Sequence, residues 1–600
     1  MASFDNLADM FFAQERQYAD RPRYRHRPHG TWQEVSWSTC ADRVRAMACG
    51  LASLGVEPGD RVALLAATRP EWIEFDLAVL ASGGITVPIY PSNVPDECGY
   101  IVWNSGAAVV CVENAQQLAK IRQVQRHGFE LEGESHQPDL RQIITIEDTG
   151  DPQVVSLRQL MDRGRSLPVS LLQRRIQGIG RDQLATIVYT SGTTGPPKGV
   201  MQTHGNHLAT LEAVGQLGMI NPGEVDFLFL PLAHSFARLI EYLGLFAGTV
   251  TAFARGLDTV IDDIREARPH LIPSVPRIYE KIFSRIQAGR MQSAAPKRLL
   301  LDWAFAVGRQ RSECDQSGTA PSPLLALQVA LAERLVLSKI RGVLGGRTRF
   351  MVSGGAPLAL EIARLFHAAG LLILEGYGLT ETTPILTVNR PAKFKFGTVG
   401  LPIPGVSLTF ADDGEILAKG PNIAQGYYKR PEATSEAWDA EGWFHTGDIG
   451  ELDADGFLRI TDRKKDLIKT SGGKYVAPQK VENLLKTEPH ISQAVVIGDE
   501  RKYCVALITL DADEIEVWAA RESISLPADR TQWAADSRVR ALIDAEIGEV
   551  NRRLAPFETI KYHRILPRDF SVEGGELTPS LKAKRKVVTN KYRALIDDMY

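Results

Sequence analysis

The sequence predicts an α/β protein: a long N-terminal region built on parallel α/β sheets, followed by a smaller α+β domain at the C-terminus. Three observations support this. Short apolar runs of strand length, AAVVCV (107–112), LATIVYT (184–190), FLFLPL (227–232) and LLILEG (371–376), are separated by helix-length stretches, the pattern of parallel strands covered on both faces. The 600 residues are enough for about four domain-sized units, so the N-terminal region must hold several subdomains. Near residue 461 the character changes: after ITDRKKDLIKTSGG about 130 residues remain, with strand-like AVVIGD and CVALITL and helical stretches between, the size of a separate domain.

The elements follow in order. Val44, Met47, Leu51 and Leu54 recur on one helical face that Gly55 can end, and RVALLAA (61–67) reads as a buried strand. EWIEFDLAVLASGG then predicts a helix and ITVPIY a strand. SECDQSGTAPSP (312–323) predicts a surface loop between two helices. Residues 324–344, rich in Leu, Val and Ile, predict a helix. Its near-continuous apolar content favours a place in the core over contact with a bilayer.

Composition excludes several classes. With 44% hydrophobic and 24% charged residues, 51 glycines and 33 prolines, the chain is neither disordered nor collagen-like. Lys and Arg (69) balance Asp and Glu (72), and a net charge of −3 gives no global pull toward nucleic acid or an anionic membrane. Six cysteines without a C-x-x-C and without clustering with His point to neither a disulfide framework nor a zinc site. The first residues carry Asp5, Asp9 and Glu15 where an export signal would be basic and then apolar. The uncharged run 77–95 is broken by Gly83, Gly84, Pro88, Pro91 and Pro95, and the run 242–254 is too short to cross a bilayer. The expectation is a soluble cytoplasmic protein, with any membrane contact peripheral and on the inner face.

The first chemical motif follows LATIVYT. Thr190, Ser191, Gly192, Thr193, Thr194, Gly195, Pro196, Pro197, Lys198 and Gly199 combine glycines that turn backbone N–H groups toward an anion with four hydroxyls and one ammonium, a loop suited to polyphosphate. It is not a Walker A loop, because Pro197 precedes the lysine and Gly199 follows it, which excludes P-loop kinases and ATPases.

TSGTTGPPKG, EGYGLTET (375–382), GWFHTGD (442–448) and DRKKDLIKTSGGKYVAP (462–478), in this order and spacing, resemble the AMP-forming adenylating superfamily of acyl-CoA synthetases, adenylation domains and luciferases over nearly the whole chain. LPLAHSFARLIEYLG, PSVPRIYEKI, LGGRTRFMVSGGAPL and GELTPSLKAKRK are most similar to the long-chain fatty acid CoA ligases. The resemblance implies an N-terminal domain over 1–462 that holds the ATP and acyl sites, a hinge at 463–466 and a mobile C-terminal lid over 467–600. ATP, Mg²⁺ and CoA are the implied cofactor and co-substrates, and a fatty acid the implied substrate.

The same resemblance assigns roles. Glu381 would meet the metal, as a carboxylate oxygen suits hard Mg²⁺, and Thr380 would lie near the α-phosphate; the residues alone also allow Glu381 to be a helix N-terminal carboxylate. Asp448 can accept both hydrogen bonds of a ribose diol, the logic by which an acidic residue reads ribose in dinucleotide folds, and Arg463 would reach the same sugar. Tyr377, with Gly378 beside it, offers a ring for adenine, and Gly354, Gly355 and Ala356 leave the base room or simply make a tight turn. His234 follows a buried strand, where a polar ring needs a partner; it would line the acyl site and not act as a general base.

The family's catalytic lysine falls in Leu577-Thr578-Pro579-Ser580-Leu581-Lys582-Ala583-Lys584, which departs from the usual T-G-K, so Lys582 is favoured and Lys584 is the alternative. An ammonium about 4 Å from a phosphate oxygen is worth on the order of 4 kcal/mol at an effective dielectric near 20. Lys465 occupies the hinge position, and Gly472 and Gly473 would leave room for the pantetheine arm of CoA after rotation. The expected activity is formation of an acyl-adenylate and pyrophosphate, then of acyl-CoA and AMP. The alternatives are a fatty acyl-AMP ligase serving a carrier protein and a silent acyl- or nucleotide-binding regulator.

Overall fold

In the computed structural model, which describes residues 3–28, 30–190, 196–256, 258–464, 466–471, 474–572, 574–578 and 582–600, the apolar runs form two large sheets. The seven-stranded sheet is ordered Lys198–Thr203, Leu184–Thr190, Ile85–Ile89, Arg61–Leu65, Val109–Val112, Gln142–Thr145, Val155–Ser156. All its neighbours are parallel except Leu184–Thr190 and Lys198–Thr203, which pair antiparallel. In the nine-stranded sheet the central strands Pro22–His26, Val250–Phe253, Val225–Leu228, Leu271–Ser274, Phe350–Ser353 and Ile373–Tyr377 are parallel neighbours in that order, with antiparallel strands at both edges. The strand in FLFLPL ends at Leu228, and Pro231, which has no N–H for a ladder, lies beyond it.

A four-stranded antiparallel sheet, Ser407–Phe410, Glu415–Lys419, Phe444–Leu452 and Leu458–Arg463, closes the N-terminal region. Beyond it, strands Ile491–Ile497, Cys504–Leu510 and Ile560–Ile565 form a small mixed sheet flanked by helices Pro478–Leu485 and Ser537–Arg552. This C-terminal unit buries its own apolar side chains, from Ile468 to Met599, whereas one continuous core runs through both large sheets.

Helix Trp37–Ser53 contains the 44–51 stripe; Ser36 caps its start by accepting from Thr39 N, and Gly55 follows its end at φ +80°. Helix Pro70–Ala81 is buried along its length and includes Asp76. That charge is compensated from the other sheet. Arg238, on helix Ser235–Ala247, pairs with Asp76, and its Nη1 donates to Thr186 Oγ1 at 2.6 Å, while Tyr242 Oη donates to Asp76 Oδ2 at 2.6 Å. Glu241, on the same helix, makes a second buried pair with Arg23 of strand Pro22–His26.

Two sequence expectations are corrected. Helix Ala295–Ser317 takes the first half of the expected loop, because Ser312 Oγ meets His367 Nδ1 at 2.7 Å and Gly308 packs against the Ala368 carbonyl; Gly318, at φ +66°, ends it. Residues 323–342 do form a helix, Pro323–Ala332 and Ser338–Gly342 joined by a π turn Glu333–Leu337, but not in the core. Leu325, Ala332, Val336 and Leu337 pack with helix Ala295–Ser317, whereas Leu324, Leu327, Leu331 and Leu335 are exposed. No helix among the described residues is long and apolar enough to cross a membrane.

Asp76→Ala, which strands the Arg238 guanidinium, is expected to cost about 3–5 kcal/mol. It should lower the first transition in thermal denaturation, and the double variant Asp76→Leu/Arg238→Met should recover most of the loss.

Candidate active site

A cavity of about 1730 Å³ opens beyond the carboxyl ends of four parallel strands, Val225–Leu228, Leu271–Ser274, Phe350–Ser353 and Ile373–Tyr377. This is where open α/β sheets leave room, since the strands diverge into loops there. Phe229, Leu230, Pro231 and Val275 give it an apolar wall; the C-terminal unit closes the opposite side with Thr578, Lys582 and Lys584. Arg277 Nη2 donates to Ser492 Oγ at 2.6 Å, and Lys486 Nζ donates to Glu280 Oε1 at 3.3 Å, so ion pairs and hydrogen bonds hold the two units across the cavity.

Asp448 and Arg463 are direct cross-strand partners on Phe444–Leu452 and Leu458–Arg463. Arg463 Nε lies 3.3 Å from Asp448 Oδ1, and Tyr377 Oη donates to Oδ2 at 2.7 Å. Burial raises the Asp448 carboxyl above its usual range although the Arg463 charge opposes it. The Tyr377 phenol is raised by burial and by that carboxylate. Lys582 lines the same cavity. Burial, together with the Arg463 charge, lowers its ammonium to about 8, and Asp448 offsets part of that.

Gly355, at φ +84°, faces Lys582: a Cβ built there would lie 3.9 Å from Lys582 Cε. Ala356 lines the cavity beside it, and a Cβ on Gly354 would come within 3.2 Å of the Phe236 ring. His234 lines the cavity too, and its ring has a structural task. Nδ1 accepts from Phe236 N at 3.2 Å and caps helix Ser235–Ala247. Burial, then the Lys582 charge, lowers its pKa to about 4, so the imidazole is neutral where Lys582 is a cation. Gly378 also lines the cavity, but its lack of a side chain is dictated from behind, since a Cβ there would sit 1.9 Å from the Pro384 carbonyl oxygen.

Lys198 and Glu381 meet through a residue that sequence reasoning missed. The Lys198 ammonium stands 4.8 Å from the centre of the Tyr427 ring, and Tyr427 Oη donates to Glu381 Oε1 at 2.8 Å. Burial raises the Glu381 carboxyl, with the Tyr427 hydrogen bond opposing. Thr190 is the register partner of Lys198, and the Thr380 carbonyl accepts from Gln202 Nε2 at 2.6 Å. Among the described residues, Thr190, Lys198, Gly354, Thr380 and Glu381 do not line the cavity, although Pro197 does. Ser191, Gly192, Thr193, Thr194, Gly195, Lys465, Gly472 and Gly473 lie outside the described residues.

Tyr427, in the run QGYYKR, carried no motif. Glu375 did carry a signal that was overlooked: a carboxylate ending the apolar run LLILEG must be buried or functional. It lines the cavity, its Oε2 accepts from Leu358 N at 3.2 Å, and burial raises its pKa to about 7.

The class to which the two units and their shared cavity belong comes from the family match: an AMP-binding enzyme. Residues 11–428 match the AMP-binding enzyme family and residues 465–600 the AMP-binding enzyme C-terminal domain, and the chain belongs to this family. Its curated relatives include the long-chain-fatty-acid–CoA ligase FadD15 of Mycobacterium bovis, 38% identical over 99% of this chain and 97% of the relative. The human long-chain-fatty-acid–CoA ligase ACSBG1 is 33% identical over 98% of this chain and 84% of its own length. Among solved structures, the anthranilate CoA ligase AuaEII in complex with anthranoyl-AMP shares the fold, with a TM-score of 0.75 at 20% identity over 100% of this chain and 99% of that one.

Gly378→Ala is expected to push strand Ile373–Tyr377 off Pro384 and to cost about 1–3 kcal/mol, as overpacking does. A lowered denaturation midpoint would register it; Gly355→Ala has room for its methyl group toward the cavity, so its cost comes from the backbone at φ +84° and not from a clash.

Proposed function

We propose that this enzyme activates a long-chain fatty acid with ATP and passes the acyl group to coenzyme A. The observation that carries the reading is the meeting of Lys582 from the C-terminal unit with Asp448, Arg463 and Tyr377 from the N-terminal region, beside an apolar wall, in one cavity. The full-length similarity to long-chain-fatty-acid–CoA ligases supports the choice of substrates.

A carboxylate is a poor electrophile, so its oxygen first attacks the α-phosphorus of ATP, the bond to pyrophosphate breaks, and an acyl-adenylate forms. The thiol sulfur of CoA then attacks the acyl carbonyl, the thiol proton leaves to solvent, and AMP departs. Asp448 and Arg463 are assigned to the ribose, Tyr377 to the adenine, with Gly355 and Ala356 forming the floor beneath it. Lys582 is the donor to the α-phosphate, placed to meet negative charge as it rearranges. Lys198, Thr190 and the loop 191–195 are assigned to the outer phosphates, with Thr380 near the α-phosphate. His234 lines the acyl site as a neutral ring.

Among the described residues no three His, Cys, Asp or Glu side chains group as a metal cage. That fits Mg²⁺ held by one carboxylate and the substrate phosphates, the usual arrangement for this reluctantly dehydrated ion. Glu381, oriented by Tyr427, is the residue that would hold it, and when bound the ion supplies charge neutralisation at the phosphates.

The two half-reactions need different surroundings, because pyrophosphate must leave before a thiol can enter. In the arrangement seen here Lys582 faces the cavity. We assign 1–462 to the catalytic domain, 463–466 to a hinge centred on Lys465, and 467–600 to a lid whose rotation would bring Gly472 and Gly473 toward the CoA path.

ATP/pyrophosphate exchange over a panel of carboxylic acids, followed by CoA addition, tests the reading. Exchange should be greatest with long-chain acids and should end in a thioester; exchange that CoA leaves unchanged would favour a carrier protein as acceptor. Lys582→Ala should slow adenylation by roughly 10²–10³-fold, and Lys584→Ala should change it little. Because Lys582 must be protonated and its pKa is about 8, kcat/KM for ATP should fall as pH rises through that value, and Lys582→Arg should move the fall upward. Lys465→Pro should spare pyrophosphate release and impair thioester formation, as single-turnover assays of each half-reaction would resolve.

A further inference from the structure

We propose that Glu576 is a positioning residue for Lys582, anchoring the arm of chain on which that lysine enters the cavity. The proposal deepens the reading of the function and rests on its assignment of Lys582 as donor to the α-phosphate. Glu576 is only 1% exposed and does not line the cavity, in a stretch (574–586) whose other charged side chains are all cationic. A carboxylate so enclosed must have its partners close by. Lys591 Nζ donates to its Oε1 at 2.5 Å and Tyr592 Oη to the same oxygen at 3.1 Å, from helix Arg585–Lys591 and the residue that follows it. Ser571 N donates to Oε2 at 3.3 Å. Room for that second oxygen depends on a glycine, since a Cβ on Gly574 would lie 2.1 Å from it.

The arm starts at this anchored residue. Lys584 N donates to the Glu576 carbonyl at 2.7 Å, and Leu577 and Ala583 are antiparallel bridge partners. Thr578 N donates to the Lys582 carbonyl at 2.8 Å, and Lys582 N returns a bond to Thr578 Oγ1 at 3.1 Å. Pairing thus runs from Glu576 and Lys584 at the base to Thr578 and Lys582, with Leu577 buried beside Phe570 and Val588 in the core of the C-terminal unit. A lysine stem is long and flexible. A fixed backbone beneath it is therefore what limits where its ammonium can stand. For a donor to transition-state charge that limit matters, because a misplacement of about 1 Å costs about 10²-fold in rate.

The same anchor accounts for a property of Lys582 that can be measured without any chemistry on ATP. Its ammonium stands with Arg463 and with Asp448, the partner of Tyr377, and the neutral His234 ring lines the same cavity. Burial there, then the Arg463 charge, lowers its pKa to about 8. An arm freed at its base would let Lys582 reach water and move away from Arg463. Its pKa would then climb toward the ordinary lysine value.

Glu576→Gln, which keeps the shape and removes the charge, and Lys591→Met, which removes the partner, test the proposal in the full-length protein, with Tyr592→Phe as a milder change. The maximal rate of adenylation, read as pyrophosphate release, should fall by roughly 10- to 10²-fold in the first two and by less in the third. The ATP concentration at half-maximal rate should change little. Transfer of preformed acyl-adenylate to CoA should keep its wild-type rate, which a damaged fold would not allow. Competitive labelling of Lys582 across pH, read by mass spectrometry without substrates, should give a midpoint near 8 in the wild type and a higher one in Glu576→Gln. Variants that adenylate at the wild-type rate, variants that lose both half-reactions together, or a labelling midpoint that stays near 8 would each overturn it. Wild-type adenylation by Lys582→Ala would sink the donor assignment instead, and a raised labelling midpoint in Glu576→Gln would still uphold the anchor.

Discussion

The two large sheets are joined by a buried charge that neither can satisfy alone. Asp76 is fully enclosed in helix Pro70–Ala81, and its partners Arg238 and Tyr242 come from a helix that follows a strand of the other sheet. Arg238 also reaches Thr186, whose hydroxyl donates to the Thr86 carbonyl at 2.7 Å, so the pair is tied into strand Leu184–Thr190. Separating the sheets would leave two buried charges without partners, a cost of several kcal/mol per ion. The relative position of strand Leu184–Thr190 and the cavity beyond Leu228 follows from that constraint.

The cavity depends on a second electrostatic arrangement, spread over three separate segments. Asp448 lowers the cost of keeping Arg463 and Lys582 charged in a partly dry site, and burial first, then the Arg463 charge, brings the Lys582 ammonium down to about 8. His234, beside them, gives up its charge and caps a helix. A site built this way holds positive charge ready for a polyanion and releases part of the repulsion when one arrives.

Much of this was legible in the residues. The strand runs, the helix ended by Gly55 and the shift in character near residue 461 carry local signals of periodicity and punctuation; Tyr377, Asp448 and Arg463 are singled out through motifs that resemble a known family, and Lys582 is left open against Lys584. Less legible were Tyr427, which joins Lys198 to Glu381 from a distant part of the sequence, and the helix-capping task of His234, which depends on where its ring is turned. In the sequence Gly378 reads only as the neighbour of Tyr377 in the nucleotide site, and the need for a glycine there comes from the Pro384 carbonyl.

The order of strands and helices, the class of chemistry and the identity of its charged groups are properties of local sequence, because hydrophobic period and backbone preference act over a few residues. Which face of 323–342 meets solvent is not such a property. Apolar content is the same on a core helix and on an outer one, and only the number of layers packed over it distinguishes them. The choice of Lys582 to face Gly355 likewise rests on how the C-terminal unit sits against the cavity, which is set by contacts such as Arg277 with Ser492 and Lys486 with Glu280, between residues more than two hundred positions apart.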